Sequence, residues 1–169
     1  GGDGRFDVYL QNQPGGADGY IVTEACNSVV PRQCAGYMVV ENDFVGFSYP
    51  TAQDGMKVLS SHEFFHIVQN AYRAELARTW SEATAVWVTE QVFPEQKDFE
   101  SFVPFFFKNA NRSLEDEGGP SDSFPYALAI WPQFLSEKYG VGVIRAIFEE
   151  LSEKGKAATE LDAVDTVLK

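Results

Sequence analysis

The chain has 169 residues, of which 44% are hydrophobic and 14% aromatic, and it carries a formal net charge of −12 at pH 7. This length and composition predict one folded domain over residues 1–169 and exclude a disordered chain. The acidic charge argues against nucleic acid or an anionic membrane as a partner, because both need basic surface, and no apolar run approaches the roughly 20 residues of a membrane span.

The first forty residues have the pattern of β-strands joined by polar loops. Residues 6–10 are β-forming and precede a loop at 11–19 that is rich in Gly, Pro, Asn and Asp. Residues 20–23 predict a short second strand. Residues 36–41, with the sequence GYMVVE, predict the strongest strand of the chain.

Two cysteines, Cys26 and Cys34, lie in the loop between these strands and are separated by seven residues. This spacing is compatible with one disulfide bond, and two free thiols are the alternative. A bond would indicate an oxidising compartment. The first four residues, GGDG, contain neither a basic start nor an apolar core of the kind found in export signals.

The motif His-Glu-x-x-His occupies residues 62–66 of a predicted helix. Its spacing places two imidazoles one helical turn apart, where each can offer a neutral nitrogen to one zinc ion. Glu63 lies about 100° from His62 and about 60° from His66 around the helix, so it faces the same cavity without being a ligand. The flanking residues are apolar, which predicts a buried helix and argues against a chance motif on a solvated surface.

A third protein ligand must come from a carboxylate, because the chain contains two histidines and the motif uses both. Glu75 lies nine residues beyond His66, about 13 Å further along a continuing helix, which is out of reach. Glu82 lies sixteen residues beyond His66, far enough for one helix to end and a second to return antiparallel. We therefore expect His62, His66 and Glu82 to bind one Zn²⁺, with Glu63 beside it as the general base of a hydrolysis.

Two helices carry these residues. The first is predicted to begin at residue 52 or 56 and to end near residue 74. The second is predicted over about 79–92, where Pro94 stops it. Trp80 and Trp87 are expected to be core residues beside the site rather than substrate contacts.

The rest of the chain predicts scaffold. Residues 97–109 are rich in phenylalanine and predict a helix packed against the Glu82 helix, with an apolar substrate pocket as the alternative role. Residues 114–122 form an acidic loop without the spacing of a known calcium site, so a solvated loop is expected and Ca²⁺ is the weaker alternative. Tyr139 is expected to end a helix before a glycine. The last helices, about 141–154 and 159–168, are amphipathic.

The two motifs together resemble a known family. The segments HEFFHIVQ at residues 62–69 and WSEATAVW at residues 80–87 are similar to the motifs His-Glu-Phe/Tyr-Phe-His-x-x-Gln and Trp-x-Glu-x-Thr-Ala-x-Trp of secreted bacterial proteins inferred to be metalloproteases. That family resembles the gluzincin group of zinc metallopeptidases, in which a glutamate of the next helix completes the zinc site. The similarity is dense over both helices and looser from about residue 6 to about residue 150.

This resemblance implies an α+β, zincin-like metallopeptidase domain with a small twisted sheet above a mostly helical lower half. It implies a secreted zinc endopeptidase acting on peptides or proteins, and we expect a monomer. It also implies that residues 36–41 form the edge strand lining the substrate cleft and that Tyr126 donates a hydrogen bond to the oxyanion. The alternatives are a metal-stabilised binding protein without turnover and a zinc hydrolase of a non-peptide amide or ester.

Overall fold

The computed structural model describes residues 3–13, 16–153 and 159–169. A three-stranded sheet and a larger set of helices confirm the α+β class. In chain order the elements are β1 Val8–Gln11, β2 Gly19–Cys26, β3 Cys34–Glu41, α1 Ala52–Tyr72, α2 Arg78–Val92, a short 3-10 helix Pro94–Gln96, α3 Asp98–Lys108, α4 Phe124–Ala127, α5 Ile130–Tyr139, α6 Gly142–Ser152 and α7 Glu160–Leu168. Within these residues no helix has the length and apolarity to cross a membrane.

Some residues of the predicted elements lie outside the described part of the chain. They are Lys154, where the predicted helix 141–154 ends, and Pro14 and Gly15, in the loop predicted at 11–19. The described part of that loop leads into β2.

The strands form a mixed sheet in the order β1-β3-β2, in which β3 pairs parallel with β1 and antiparallel with β2. β3 is therefore the central strand, and the prediction that residues 36–41 form the cleft-lining edge strand is wrong. Met38 and Val40 of this strand are buried against Leu59 of α1, and Val39, which pairs with Tyr9 of β1 and Tyr20 of β2, is buried as well. The edge strand beside the candidate site is β2, whose first residue, Gly19, lines the cleft.

A disulfide bond joins Cys26 at the end of β2 to Cys34 at the start of β3. This confirms the pairing that the cysteine spacing allows. Strand β2 is longer than the predicted strand at 20–23, because its pairing with β3 continues past an irregularity between Thr23 and Ala25 as far as the bridged cysteines. The covalent bond thus closes the hairpin at the end opposite to the cleft.

Helix α1 has a defined start and end. Thr51 accepts a hydrogen bond from the N–H of Asp54, which caps the helix, and the helix ends at Tyr72, two residues before the predicted limit. Leu59 on one side of α1 packs under the sheet with residues of β3. The helix therefore lies between the sheet and the remaining helices, as its apolar sequence predicts.

Helix α2 runs antiparallel to α1. Gln69 near the end of α1 donates to the carbonyl of Ser81 near the start of α2, whereas Ser61 near the middle of α1 donates to Thr89 near the end of α2. The chain reverses in the few residues between Tyr72 and α2, which is the return that the sequence analysis requires for Glu82.

The other helices pack around α2. Trp80 and Trp87 are buried in one cluster with Ile147 and Phe148 of α6, which confirms their expected core role. Helix α3 contacts α2, as predicted, and also α4. Phe102 of α3 lines the cleft beside α1, so at least one aromatic residue of this helix faces the candidate site.

Candidate metal centre

Two histidines of α1 and one glutamate of α2 converge at a single point. The Nε2 atoms of His62 and His66 lie 3.1 Å apart. Oε2 of Glu82 lies 3.1 Å from Nε2 of His62 and 3.4 Å from Nε2 of His66. Among the described residues these three side chains form a group whose potential ligand atoms all lie within 4.8 Å of one another. The structure thus brings together the three residues that the sequence predicts as metal ligands.

The separations fit a tetrahedral zinc ion. Zinc bonds of about 2.0–2.2 Å with tetrahedral angles place neighbouring ligand atoms about 3.3–3.5 Å apart. The observed separations of 3.1 to 3.4 Å agree with this to within a few tenths of an ångström. Three protein ligands are also the number found in catalytic zinc sites, whereas structural sites have four.

Glu75, the carboxylate nearer in sequence, lies outside the cluster. Its Oε1 pairs with Nε of Arg32 at 2.7 Å, and both side chains are about half exposed. The antiparallel return of α2 explains the difference, because it brings Glu82 back level with the histidines.

Gln69 links the two helices behind His66. Its Oε1 lies 2.8 Å from Nδ1 of His66, and its Nε2 donates to the carbonyl of Ser81 and the hydroxyl of Thr84, each at 2.8 Å. Because these two acceptors use the amide nitrogen, the amide oxygen faces the imidazole and accepts from Nδ1–H. This arrangement fixes the tautomer that leaves the Nε2 lone pair of His66 for a metal.

The roles of Gln69, Ser81 and Thr84 were not predicted from the sequence. The spacing of Gln69 could have indicated its role, because this residue lies three positions beyond His66 and therefore nearly on the same side of the helix. The hydroxyl of Ser81 adds to the network, lying 3.2 Å from Nδ1 of His66 and donating to Oε1 of Gln69 at 3.0 Å. The polar residues around Glu82 in α2 thus hold the histidine of α1.

The electrostatics of the cluster couple the three side chains. Burial alone would raise the pKa of Glu82, but the hydrogen bonds from His62 and His66 outweigh it and hold that pKa well below its usual range. Burial alone would lower the pKa of His66, but the Glu82 carboxylate overcomes it and raises that pKa. Glu82 and His66 therefore favour each other's charged form, and a proton on the His66 imidazole competes with a metal ion for its nitrogen.

Glu63 faces the cleft without joining the ligand group. The residue is 8% exposed, and its carboxylate makes no hydrogen bond to any described residue. Burial raises its pKa, and His62 and His66 oppose this effect. A buried carboxylate that lacks a protein partner beside a group of metal-ligating atoms has the position expected of a general base.

Tyr126 of α4 borders the cluster. Its ring stacks on the imidazole of His62 with the centroids 5.9 Å apart, and the guanidinium carbon of Arg78 lies 5.6 Å from the ring centroid. Burial and the Glu82 carboxylate raise the pKa of Tyr126 to about 12. Its hydroxyl therefore stays protonated at neutral pH and can donate a hydrogen bond. Tyr139, by contrast, is the exposed last residue of α5.

A cleft of about 490 Å³ opens beside the cluster, and His62, Glu63 and Tyr126 are among its lining residues. Asp18 and Asp98 also line it, and neither was predicted from the sequence as a site residue. Asp18 precedes β2 and Asp98 begins α3, so these residues meet only through the tertiary fold. No local spacing in the sequence could have joined them.

Two arginines organise the acidic loop at 114–122. Arg112 pairs with Asp116 at 2.8 Å and with Asp122 at 2.6 Å. Arg78, in the first turn of α2, donates to the backbone carbonyls of residues 117, 119, 120 and 122. Two of the four carboxylates considered as Ca²⁺ ligands, Asp116 and Asp122, thus already have a cationic partner, and the loop is tied to the start of the Glu82 helix.

No protein-family model matches the chain, and no curated protein or solved structure matches it either. The resemblance to gluzincin peptidases therefore rests on the residues of the two motifs. In the structure the histidines and Glu82 of these motifs converge, Gln69 donates a hydrogen bond to Thr84, and the two tryptophans are buried.

Proposed function

We propose that the protein is a secreted, zinc-dependent endopeptidase with a zincin-like fold. One observation carries the proposal: Glu82 Oε2 and the Nε2 atoms of His62 and His66 have the separations of tetrahedral zinc ligands, beside the unpartnered carboxylate of Glu63. A metal that only stabilised the fold would not need that carboxylate. The disulfide bond supports the secreted location, because such bonds persist in oxidising compartments.

The chain's own residues account for the proton transfers of peptide hydrolysis. His62, His66 and Glu82 would hold the zinc ion, which would supply Lewis acidity: it would lower the pKa of a water molecule towards about 7 and polarise a carbonyl group. Glu63 accepts the proton of the attacking water and passes it to the nitrogen of the leaving amine. Tyr126 donates a hydrogen bond to the carbonyl oxygen as that oxygen gains negative charge.

The proposed substrate is an extended segment of a peptide or protein. Strand β2 is an edge strand whose first residue lines the cleft, so a peptide can pair with its free edge while its scissile bond reaches Glu63. The net charge of −12 disfavours nucleic acid and anionic membranes as partners. We also propose that the protein is active as a monomer.

Metal analysis tests the site. We expect about one zinc per chain in protein purified without chelator, and loss of that zinc in Glu82→Ala. Glu75→Ala removes the neighbouring surface carboxylate and serves as the matched control that retains zinc. Two imidazoles and one carboxylate also suit Fe(II), so iron in place of zinc would overturn the assignment, as would full zinc retention in Glu82→Ala.

Glu63→Ala tests the reaction. We expect the variant to keep its zinc and to cleave dye-labelled unfolded casein about 10²- to 10⁴-fold more slowly than the wild type, because a general base contributes rate factors of this size. Full activity in a clean preparation would remove Glu63 from the mechanism. A zinc-loaded wild type that cleaves no peptide in a random library would favour the binding-protein alternative, and cleavage of amides or esters alone would favour the non-peptide hydrolase.

A further inference from the structure

The cleft continues beyond Glu63 into a second cavity of about 670 Å³. Four residues line both spaces: Asp18, Tyr49, Val58 and Asp98. They therefore form the junction between the candidate active site and the outer cavity.

Two carboxylates meet at this junction. Asp98 begins α3, is partly buried, and makes no hydrogen bond or ion pair with a described side chain. The carboxylate of Asp18 accepts a hydrogen bond from the hydroxyl of Tyr49. Burial raises the pKa of Asp98, the field of His62 lowers it, and the nearby charge of Asp18 raises it further. The junction thus holds two carboxyl groups, and neither forms an ion pair with a described lysine or arginine.

No lysine or arginine is among the residues that line the inner cleft, whereas Lys57 and Lys97 line the outer cavity, where Lys97 forms no ion pair with a described carboxylate. Lys57, which lines the outer cavity, pairs with Glu95 at 2.8 Å. Arg78 is occupied by backbone carbonyls of the acidic loop. Glu63, 8% exposed and without a hydrogen-bonding partner, lines the same cleft and adds a further carboxylate to it. The carboxyl groups of the inner cleft are therefore available to a cation that a ligand brings.

We propose that Asp18 and Asp98 form a subsite that selects a lysine or arginine side chain of the substrate near the scissile bond. This inference rests on the proposed peptidase function and names its substrate class. Val58 and Phe102 offer apolar surface to the methylene stem of such a side chain, while the carboxylates take its charged end. The position of the subsite, in the same cleft as His62 and Glu63, makes it a determinant of cleavage specificity.

Peptide cleavage tests the subsite. A decapeptide of Ala and Gly carries one lysine at each position in turn, and a matched set carries norleucine, which has an equally long apolar stem without the charge. We expect lysine at one position near the cut to raise kcat/KM about ten- to a hundredfold over norleucine, the size expected for hydrogen bonds to a charged group. Asp98→Asn should bring this ratio close to one. The control Glu115→Gln removes the same amount of charge from an exposed position and should leave the ratio of kcat/KM values unaltered.

A binding measurement separates this inference from the proposed function. Calorimetry with zinc-loaded Glu63→Ala should show the lysine decapeptide binding more tightly than its norleucine counterpart, and Asp98→Asn combined with Glu63→Ala should remove the difference. If neither the wild type nor any variant cleaves peptides but the preference for lysine in binding persists, the subsite is supported and the peptidase proposal is wrong. If peptides are cut without any preference for lysine, the subsite fails and the peptidase proposal stands.

Two further outcomes are decisive. Asp18→Asn removes the other carboxylate, on a separate element, and should also reduce the lysine preference, so the inference stays testable if Asp98→Asn does not fold. The competing explanation is that Asp18 and Asp98 bind a calcium ion, and added CaCl₂ tests it. If calcium raises the melting temperature of the wild type but not of Asp98→Asn, the pair is an ion site and the inference is wrong.

Discussion

The side-chain oxygen of Gln69 lies 2.8 Å from Nδ1 of His66, while the nitrogen of the same amide donates to the carbonyl of Ser81 at 2.8 Å. One side chain therefore connects a proposed metal ligand of α1 to the backbone of α2. Because α2 also supplies Glu82, the docking of the two helices and the geometry of the metal centre depend on each other.

Replacing Gln69 should weaken the metal centre without removing a ligand. We expect Gln69→Met, which keeps the volume but not the hydrogen bonds, to lower zinc affinity about 10- to 100-fold, because His66 loses the partner that orients it. Stability of the metal-free protein should fall by about 1–3 kcal/mol, because the Ser81 carbonyl and Thr84 hydroxyl lose a buried donor. Chelator competition and urea unfolding measure the two effects.

The control for this change is Ser81→Ala. It removes the hydroxyl that lies 3.2 Å from Nδ1 of His66 but keeps the Gln69 amide, so its effect on zinc affinity should be smaller. Equal zinc affinity in Gln69→Met and the wild type would show that the amide does not orient His66.

Zinc affinity should depend on pH through His66. The Glu82 carboxylate outweighs burial and raises the pKa of His66 above its ordinary 6.5. Protons therefore compete with zinc from a higher pH than for an ordinary histidine, and the affinity should fall as pH drops through that raised pKa. The stability of the metal-free protein has the opposite dependence. The contribution of His66 is full below pH 6.5 and is lost as pH rises through its folded pKa.

NMR titration of the metal-free protein measures this pKa directly, and the chain's two histidines make the imidazole signals simple to assign. Glu82→Gln should lower the pKa of His66, because the carboxylate that raises it is gone. A His66 pKa at or below 6.5 in the wild type would contradict the coupling between the two side chains.

Tyr126→Phe should slow peptide cleavage while leaving the metal in place. Removing one hydrogen-bond donor to an oxyanion costs about 10²- to 10³-fold in kcat, and the phenylalanine ring can keep the stack on His62. KM and zinc content should change little. Steady-state kinetics and metal analysis check this, with the exposed Tyr139→Phe as the matched control. Equal kcat in the two variants would exclude Tyr126 as the donor.

Removing the disulfide bond should lower stability and spare the site. The bond closes a loop with a sequence separation of 8, so the loss of Cys26 and Cys34 to serine should cost about 2–3 kcal/mol in urea unfolding. Zinc affinity should persist, because the bridge lies about 23 Å along β2 from Gly19 at the cleft. A reducing agent should have the same effect on the wild type. An unchanged unfolding midpoint in both experiments would contradict the stabilising role.

Local periodicity explains which parts of the site the sequence could predict. His62, Glu63 and His66 lie within a little more than one helical turn, so the geometry of the helix alone decides that they face one cavity. Glu82 was predicted as the third ligand by elimination, because the motif uses both histidines of the chain and Glu75 is too far along the helix. Their role as ligands of a bound metal stays a prediction, as does the catalytic role of Tyr126.

The order of strands and the wall of the cleft depend on contacts that local patterns do not encode. Residues 36–41 are strongly β-forming, and only pairing with β1 and β2 on either side makes their strand central instead of an edge. Asp18 and Asp98, eighty residues apart in the chain, line one cleft only after β2 has packed on α1 and α3 has packed on α2.

The sequence by itself determined the helical spacing of the proposed metal ligands, because that spacing follows from short-range geometry. It indicated the α+β class through the resemblance of its motifs, and it allowed the disulfide bond without deciding between a bond and two free thiols. The tertiary structure alone decided which strand is exposed at the cleft, which amide orients His66, and which carboxylates remain without a cation beside Glu63. These properties arise where elements distant in sequence pack together, since burial and pairing, rather than periodicity, set the environment of a side chain there.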